Sequence, residues 1–200
     1  MNVLEKDMLS QLNQHKLKEN WVQRDFFIKK ENIPTLQLLD NILFIQDGIL
    51  HLEIEIKGTF HILTFFQSEE VIYPNYFNLE HINWRIVADT PVEIIFFNQE
   101  YFLNYGTIEP KYMEWLLEKL SKNFHKISYE MTKLNNKRGI MTNIEHLHQI
   151  LKKEDQLLPK KKIFSLFSKQ MLTSYCQVSR STFNNEFKSL KNSGLLEHYL

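Results

Sequence analysis

An α+β fold is predicted for this 200-residue chain: an antiparallel β-roll, then one long helix, then a C-terminal helix-turn-helix. Three observations predict it. The stretch from Leu38 to Phe97 has a β texture with period-two alternation in ILHLEIEIK, an apolar 4-3-4-3 spacing runs from Met113 to Leu134, and two short amphipathic helices with almost nothing between them close the chain. These divide the chain into residues 1–108 for the roll, 109–138 for the long helix and 139–200 for the closing domain.

The composition permits such a fold and excludes others. With 43% hydrophobic and 24% charged residues the chain can build real cores. No apolar run approaches the roughly 20 residues of a membrane-spanning helix, and Met1–Gln11 carries Glu5, Lys6 and Asp7 where a signal peptide would be apolar. The expectation is a soluble, cytoplasmic protein that does not enter membranes. Cys176 is the single cysteine, so no internal disulfide or multi-cysteine metal site can form, and neither a cofactor nor a metal is expected. The zero net charge conceals a division: residues 1–110 hold 8 basic against 16 acidic residues, and residues 111–200 hold 16 against 8. The basic half suits a polyanion.

Met8, Leu9, Leu12 and Leu17 predict a loosely amphipathic first helix. In ILHLEIEIK, Leu50, Leu52, Ile54 and Ile56 turn inward, while His51, Glu53, Glu55 and Lys57 turn to water. Gly48 and Gly58 stand where hairpins would turn, and the stretches WRIVA and VEIIFF read as a second strand pair around Asp89-Thr90-Pro91. Phe60, Phe65, Phe66, Tyr73, Tyr76, Phe77 and Trp84 make the roll rich in aromatics, as core filling or as the lining of an apolar effector pocket. On the long helix, Met113, Leu117, Leu120, Phe124, Ile127, Met131 and Leu134 form an a/d seam of about three heptads, expected to join two copies of the chain. Trp115 and Leu116 widen the stripe toward the roll. Gly139 after Lys137-Arg138 marks a hinge. A further helix over Met141–Lys153 presents Ile144, Leu147, Ile150 and Leu151, and Leu158-Pro159 followed by Lys160, Lys161 and Lys162 reads as a loop.

In the closing stretch Ser168 is an N-cap candidate, with Leu172, Tyr175 and Cys176 on one face of the helix that follows. Val178 fills a tight turn and Ser179 caps the last helix, where Phe183, Phe187 and Leu190 face the protein. Ser179, Arg180, Ser181, Thr182, Asn184, Asn185 and Lys188 remain for the other side, a hydrogen-bonding set of the kind that meets phosphates and base edges. Arg180–Lys191 is then a recognition helix for double-stranded DNA. Arg180 and Asn185 are assigned to base edges, with Ser179, Thr182 and Lys188 assigned to phosphates. Glu186, at the edge of the apolar face, has no role that the sequence assigns.

The order of parts, with the signature MLTSYCQVSRSTFNNEFKSLKNSGLL, resembles the Crp/Fnr family of bacterial transcription regulators. The family pattern falls on Leu172, Thr173, Cys176, Gln177, Val178, Ser179, Arg180, Thr182 and Gly194-Leu195-Leu196, and the stretches FIQDGILHLEIE and VADTPVEIIFFNQEYF resemble strands of its sensor roll. The resemblance implies a cyclic-nucleotide-binding-like jelly roll, a homodimer on a palindromic operator, and RNA polymerase as a partner. It also exposes departures. Tyr73-Pro74 and Ile82-Asn83 stand where cyclic-AMP-binding members carry glycine-glutamate and arginine-serine, which removes the cation for the nucleotide phosphate. One cysteine cannot hold the cluster of the oxygen-sensing branch, and His51, His61 and His81 are haem ligands by type only. Gln177 replaces the usual turn glycine, and GLLEHYL leaves room for one wing strand, so the winged helix is truncated. These losses are similar to those of the PrfA-like branch, in which a different small effector, or none, is used.

An enzyme is the first rival. The chain has no glycine-rich phosphate loop, no Gly-x-Ser-x-Gly elbow and no zinc-protease helix. His146-Leu147-His148 falls on a predicted helix, where alternate residues diverge by about 200°, and reads as two surface histidines. The alternative to a DNA-binding regulator is a protein-interaction or effector-binding roll dimer that no longer binds DNA.

Overall fold

The computed structural model describes residues 1–77, 83–135, 139–153, 156–157 and 159–200. Helix α1 (Val3–His15) opens with a reciprocal capping box: Asn2 accepts from the Glu5 backbone N–H, and Glu5 accepts from that of Asn2. Met8, Leu9 and Leu12 are buried as expected, whereas Leu17 lies beyond the helix and is exposed. Strand β1 (Val22–Phe27) was not foreseen, because Gln23, Arg24 and Asp25 interrupt its alternation. After the short α2 (Thr35–Leu39), the roll continues with β2 (Asn41–Asp47), β3 (Ile49–Ile56), β4 (Thr59–Gln67), β5 (Val71–Ile72), β6 (Trp84–Ala88) and β7 (Val92–Asn98).

The strands form two antiparallel sheets, in the orders β1-β7-β2-β5 and β4-β3-β6. This corrects two expectations. WRIVA and VEIIFF are not a hairpin pair: β6 and β7 lie in different sheets, and the chain crosses between them at Asp89-Thr90-Pro91. Ile49 holds that corner, its carbonyl accepting from the Asp89 N–H at 2.8 Å while its own N–H donates to Thr90 Oγ1 at 2.9 Å. Gly48 marks the crossing from β2 to β3 rather than a hairpin. Its φ is +99°, and a Cβ there would lie 2.5 Å from the Pro91 carbonyl, so both crossings meet where only glycine fits. Lys57-Gly58 is the true two-residue hairpin, joining β3 to β4 with both φ values positive, as a type I′ turn requires.

Leu43, Ile45, Ile94 and Phe96 from the first sheet meet Leu50, Leu52, Phe66 and Ile86 from the second to form the interior. The first sheet is apolar on its outer face too, which is why β2 and β7 contain the apolar runs ILFI and IIFF. That face is covered by α1, by α3 (Gln99–Ile108), which the sequence reading missed, and by the long α4 (Pro110–Asn135). Trp115 and Leu116 pack there, as expected.

Helix α5 (Ile140–Ile150) ends earlier than predicted, because Leu151 turns extended and a two-stranded ladder of β8 (Lys152–Lys153) and β9 (Gln156–Leu157) follows. The chain then forms α6 (Ile163–Leu166), α7 (Lys169–Cys176) and α8 (Arg180–Asn192). No helix among the described residues is long and apolar enough to cross a membrane.

Candidate nucleic-acid interface and its seat on the roll

Ser168 caps α7, its Oγ accepting from the Met171 N–H at 3.2 Å, and the helix buries Leu172, Tyr175 and Cys176. Gln177 stops it. Its backbone is left-handed, φ 55° and ψ 39°, and its N–H bonds back to the Ser174 carbonyl at 3.1 Å. Placing a residue with a Cβ there costs about 1 kcal/mol, and Gln177 Nε2 is buried without a hydrogen-bond partner. After Val178, Ser179 caps α8 by accepting from the Thr182 N–H at 3.1 Å. Phe183 and Phe187 stack at 5.8 Å and are buried, which fixes which side of α8 faces out.

All seven candidate DNA-binding residues, Ser179, Arg180, Ser181, Thr182, Asn184, Asn185 and Lys188, are exposed. The Ser179 hydroxyl lies 2.8 Å from those of both Ser181 and Thr182, so this trio also builds the cap. Lys160, Lys161 and Lys162 are exposed as well. Residues 193–199 form turns rather than the wing strand expected, and they bury Leu196 and Tyr199, the latter edge-on to His148. Apolar burial of the tail takes the place of strand pairing.

Glu186 has a partner the sequence could not reveal. Its Oε1 accepts the backbone N–H of Ile140 at 2.8 Å, at the start of α5, where Gly139 supplies no side-chain cap. The only acidic residue of α8 is thereby occupied within the fold.

This domain sits on the outer face of the second sheet. Phe65 of β4 packs against Phe167 at 4.7 Å and Tyr175 at 5.3 Å, with Ile49 and Ile62 beside it. The Ile62 N–H donates to Ser174 Oγ at 3.0 Å, and Gln67 Nε2 donates to the Ile150 carbonyl at 3.0 Å. From α4, fully buried Glu130 accepts from the Tyr175 hydroxyl at 2.7 Å and bonds His146 Nε2 at 2.9 Å. His146 and His148 are therefore not surface histidines: the first is held by α4 and the second is buried under Tyr199.

The outward face of β3 also departs from expectation. His51 is only 5% exposed, with Nδ1 2.8 Å from Asp89 and Nε2 3.2 Å from Glu53, which in turn pairs with Arg85. Burial opposes its charge, but hydrogen bonds and attraction from Asp89 and Glu53 prevail and carry its pKa up to about 9. At neutral pH it is an imidazolium held between two carboxylates. His61 lines the same groove, His81 lies outside the described residues, and no cluster of three or more potential metal-binding side chains occurs among the described residues.

The α4 seam divides. Leu117, Phe124 and Met131, seven residues apart, are 59%, 61% and 38% exposed. Met113, Leu120 and Ile127 instead pack on the chain's own roll, which corrects the reading of a single face turned wholly to a partner. Heptad positions a and d lie on adjacent lines of the helix, and the roll covers one of them. The Leu134 side chain lies outside what is described, as do Ile82, Lys137, Arg138, Leu158 and the side chains of Tyr76 and Phe77.

Between α4 and the roll interior lies a cavity of about 250 Å³, lined by Leu63, Phe66, Tyr73, Trp84, Phe124 and Met131 among others, with Asn123 and Ser128 as its polar members on α4. The described residues that line it carry no charge. Core filling and pocket lining thus coexist: Phe66 is fully buried and also borders the cavity, Phe65 belongs to the domain seat, and Phe60 stacks under Arg85 at 4.2 Å.

No protein-family model matches the chain, and no curated protein does. Solved structures do. A cyclic nucleotide-binding domain containing protein from Listeria monocytogenes aligns with a TM-score of 0.73 at 17% identity, over 94% of this chain and 91% of its own. CLP, a c-di-GMP-responsive global regulator of Xanthomonas campestris, aligns at 0.66 and 14% identity, over 96% and 93%. A candidate transcriptional regulator of the crp/fnr family from Eubacterium rectale aligns at 0.64 and 10% identity, over 98% and 86%. What is shared is the fold: a nucleotide-binding-type roll, a long helix and a helix-turn-helix domain.

Proposed function

We propose that this chain is a sequence-specific, DNA-binding transcription regulator of Crp/Fnr type that acts as a homodimer. In this reading residues 1–108 form the sensor roll, 109–138 the dimerisation helix and 139–200 the DNA-binding domain. The observation that carries it is the outer side of α8, where Arg180, Asn184, Asn185 and Lys188 are exposed together and the single acid of the helix is turned away. A helix with a positively charged outer side and hydrogen-bonding side chains suits the major groove. The exposed line Leu117, Phe124 and Met131 supports dimerisation, because a second copy would bury it. RNA polymerase is the expected partner of the DNA-bound dimer.

Cyclic AMP is neither bound nor required in this reading, since the cavity beside α4 has no described charge to meet a phosphate. A small uncharged effector with a large apolar part suits that lining. Phe124 and Met131 belong both to the cavity wall and to the exposed stripe, so a partner helix would close one side of the site.

Selection of bound DNA from a random duplex pool tests the reading. A two-fold symmetric motif should emerge, with half-sites about 34 Å apart and affinity falling steeply with salt. Arg180→Ala should relax preference at one base pair per half-site, and Lys188→Ala should weaken all duplexes and lower the salt slope by about one unit per half-site. Enrichment of no duplex would favour the effector-binding dimer that does not use DNA. A monomer in sedimentation at micromolar concentration would remove the dimer.

A further inference from the structure

We propose that Glu186 is a positioning residue that sets the angle at which α8 presents its outer face, by clasping the first turn of α5; the proposal rests on the DNA-binding reading. Helix α5 begins at Ile140, immediately after Gly139, and carries no acidic residue in its own first turn and no side-chain cap. Its N-terminal N–H groups and the positive end of its dipole therefore call for an acceptor and a negative charge. Glu186 supplies both from another helix, with Oε1 2.8 Å from the Ile140 nitrogen and 3.4 Å from where a Cβ on Gly139 would stand. Phe183 and Phe187 share one buried apolar cluster with Ile140 and Ile144, which holds α8 against α5, but apolar packing is non-directional and leaves rotation about the helix axis loosely fixed. A directed, charge-assisted hydrogen bond beside that contact fixes it. Asn184 and Lys188 stand two residues to either side of Glu186, about 200° around the helix, and both are exposed. A rotation that frees the carboxylate therefore swings those two side chains by the same angle. The clasp also ties α8 to the residue that follows the junction between α4 and the DNA-binding domain.

The test uses the full chain with Glu186→Ala and Glu186→Gln, on the duplex selected by the wild type and on a random duplex. Alanine should weaken the selected duplex about tenfold while leaving the random duplex and the salt slope unchanged, because no phosphate contact is lost. Glutamine, which keeps the acceptor, should restore most of the affinity. Wild-type affinity in the alanine variant would overturn the proposal, and so would an equal loss on both duplexes with a changed slope, which would put Glu186 on the DNA itself. A DNA-free measurement separates this from failure of the DNA reading. Spin labels introduced by Glu145→Cys and Lys191→Cys, on a Cys176→Ser background, report the α5 to α8 distance. That distribution should shift or broaden with alanine and return with glutamine; an unchanged distribution overturns the positioning role whether or not any duplex binds.

Discussion

On the outer face of the first sheet, Phe44, Ile95 and Phe97 meet Met8, Leu12, Phe102, Trp115 and Leu116 in a continuous apolar layer. On the outer face of the second sheet the roll contributes, among the described buried residues, Ile49, Ile62 and Phe65, and polar links surround them: Ser174 to β4, Gln67 to α5, Glu130 to α5 and α7, and the buried His51 pair. The first face is core: a wide apolar layer carries it, and its polar bonds, such as those buried Glu5 makes with Trp115 and Lys119 and the one Tyr101 donates to the Leu12 carbonyl, are set into that layer. The second is a seat, in which a small apolar centre sets contact and hydrogen bonds set orientation. Directional bonds lose strength with a small displacement, whereas apolar layers slide at lower cost. The two covers therefore differ in how they fail.

The largest effect should come from the first face. Trp115→Ala removes edge contacts with Phe44 and a buried hydrogen bond, and should cost about 3–5 kcal/mol in urea denaturation of the whole chain. A loss below about 1 kcal/mol would mean that this layer is not core. Ile62→Ala, on the second face, should cost about 2–3 kcal/mol and do so locally. Amide exchange should quicken in α7 and α5 while β2 and β7 keep their protection; a uniform rise would erase the distinction between core and seat.

Proton linkage at His51 sharpens the same contrast. The imidazole holds its proton more tightly when folded, so its contribution is fully present below its ordinary pKa of 6.5 and is lost as pH rises through about 9. The loss should appear as a fall in melting temperature that sets in above about pH 6.5, levels off past about pH 9, and is abolished by His51→Gln. The groups facing it are Asp89 and Glu53, with Arg85 bonded to Glu53 and Lys29 acting on Asp89. The smallest effect concerns neither face. Gln177→Gly relieves a left-handed residue with a buried, unpartnered amide, and should stabilise the helix-turn-helix by about 0.5–1 kcal/mol, measured by denaturation.

Legibility in the sequence follows the range of the forces involved. The bounds of α7 and α8 were readable because Ser168, Ser179 and the Phe183/Phe187 spacing act within a turn or two. The alternation in β3 located its strand, and Gly58 its hairpin, for the same reason. His51 was misread because Asp89, 38 residues away, and the ring of Phe65 on β4 close around it, and neither is near it in the local alternation. WRIVA and VEIIFF look like partners in sequence, yet the corner anchored by Ile49 sends them to different sheets. Glu130, His146 and Glu186 acquire their roles only where α4, α5, α7 and α8 meet, and no local pattern announces that. Even the α4 seam was legible as a stripe and illegible as two lines, since heptad spacing does not say which line a roll will cover.

Mechanically, α4 is a boom. Its 26 residues span about 39 Å at 1.5 Å per residue, and Glu130 stands about 30 Å from the Pro110 end by the same rise. A tilt of about 5° pivoting at that end would move Glu130 by about 2.6 Å, estimated from the helix rise. That displacement exceeds the latitude of a hydrogen bond, so the Tyr175 and His146 contacts would part. The cavity lies along the same shaft, bordered by Phe124 and Met131. A small rotation at the Pro110 end would thus arrive at the far end as a broken contact.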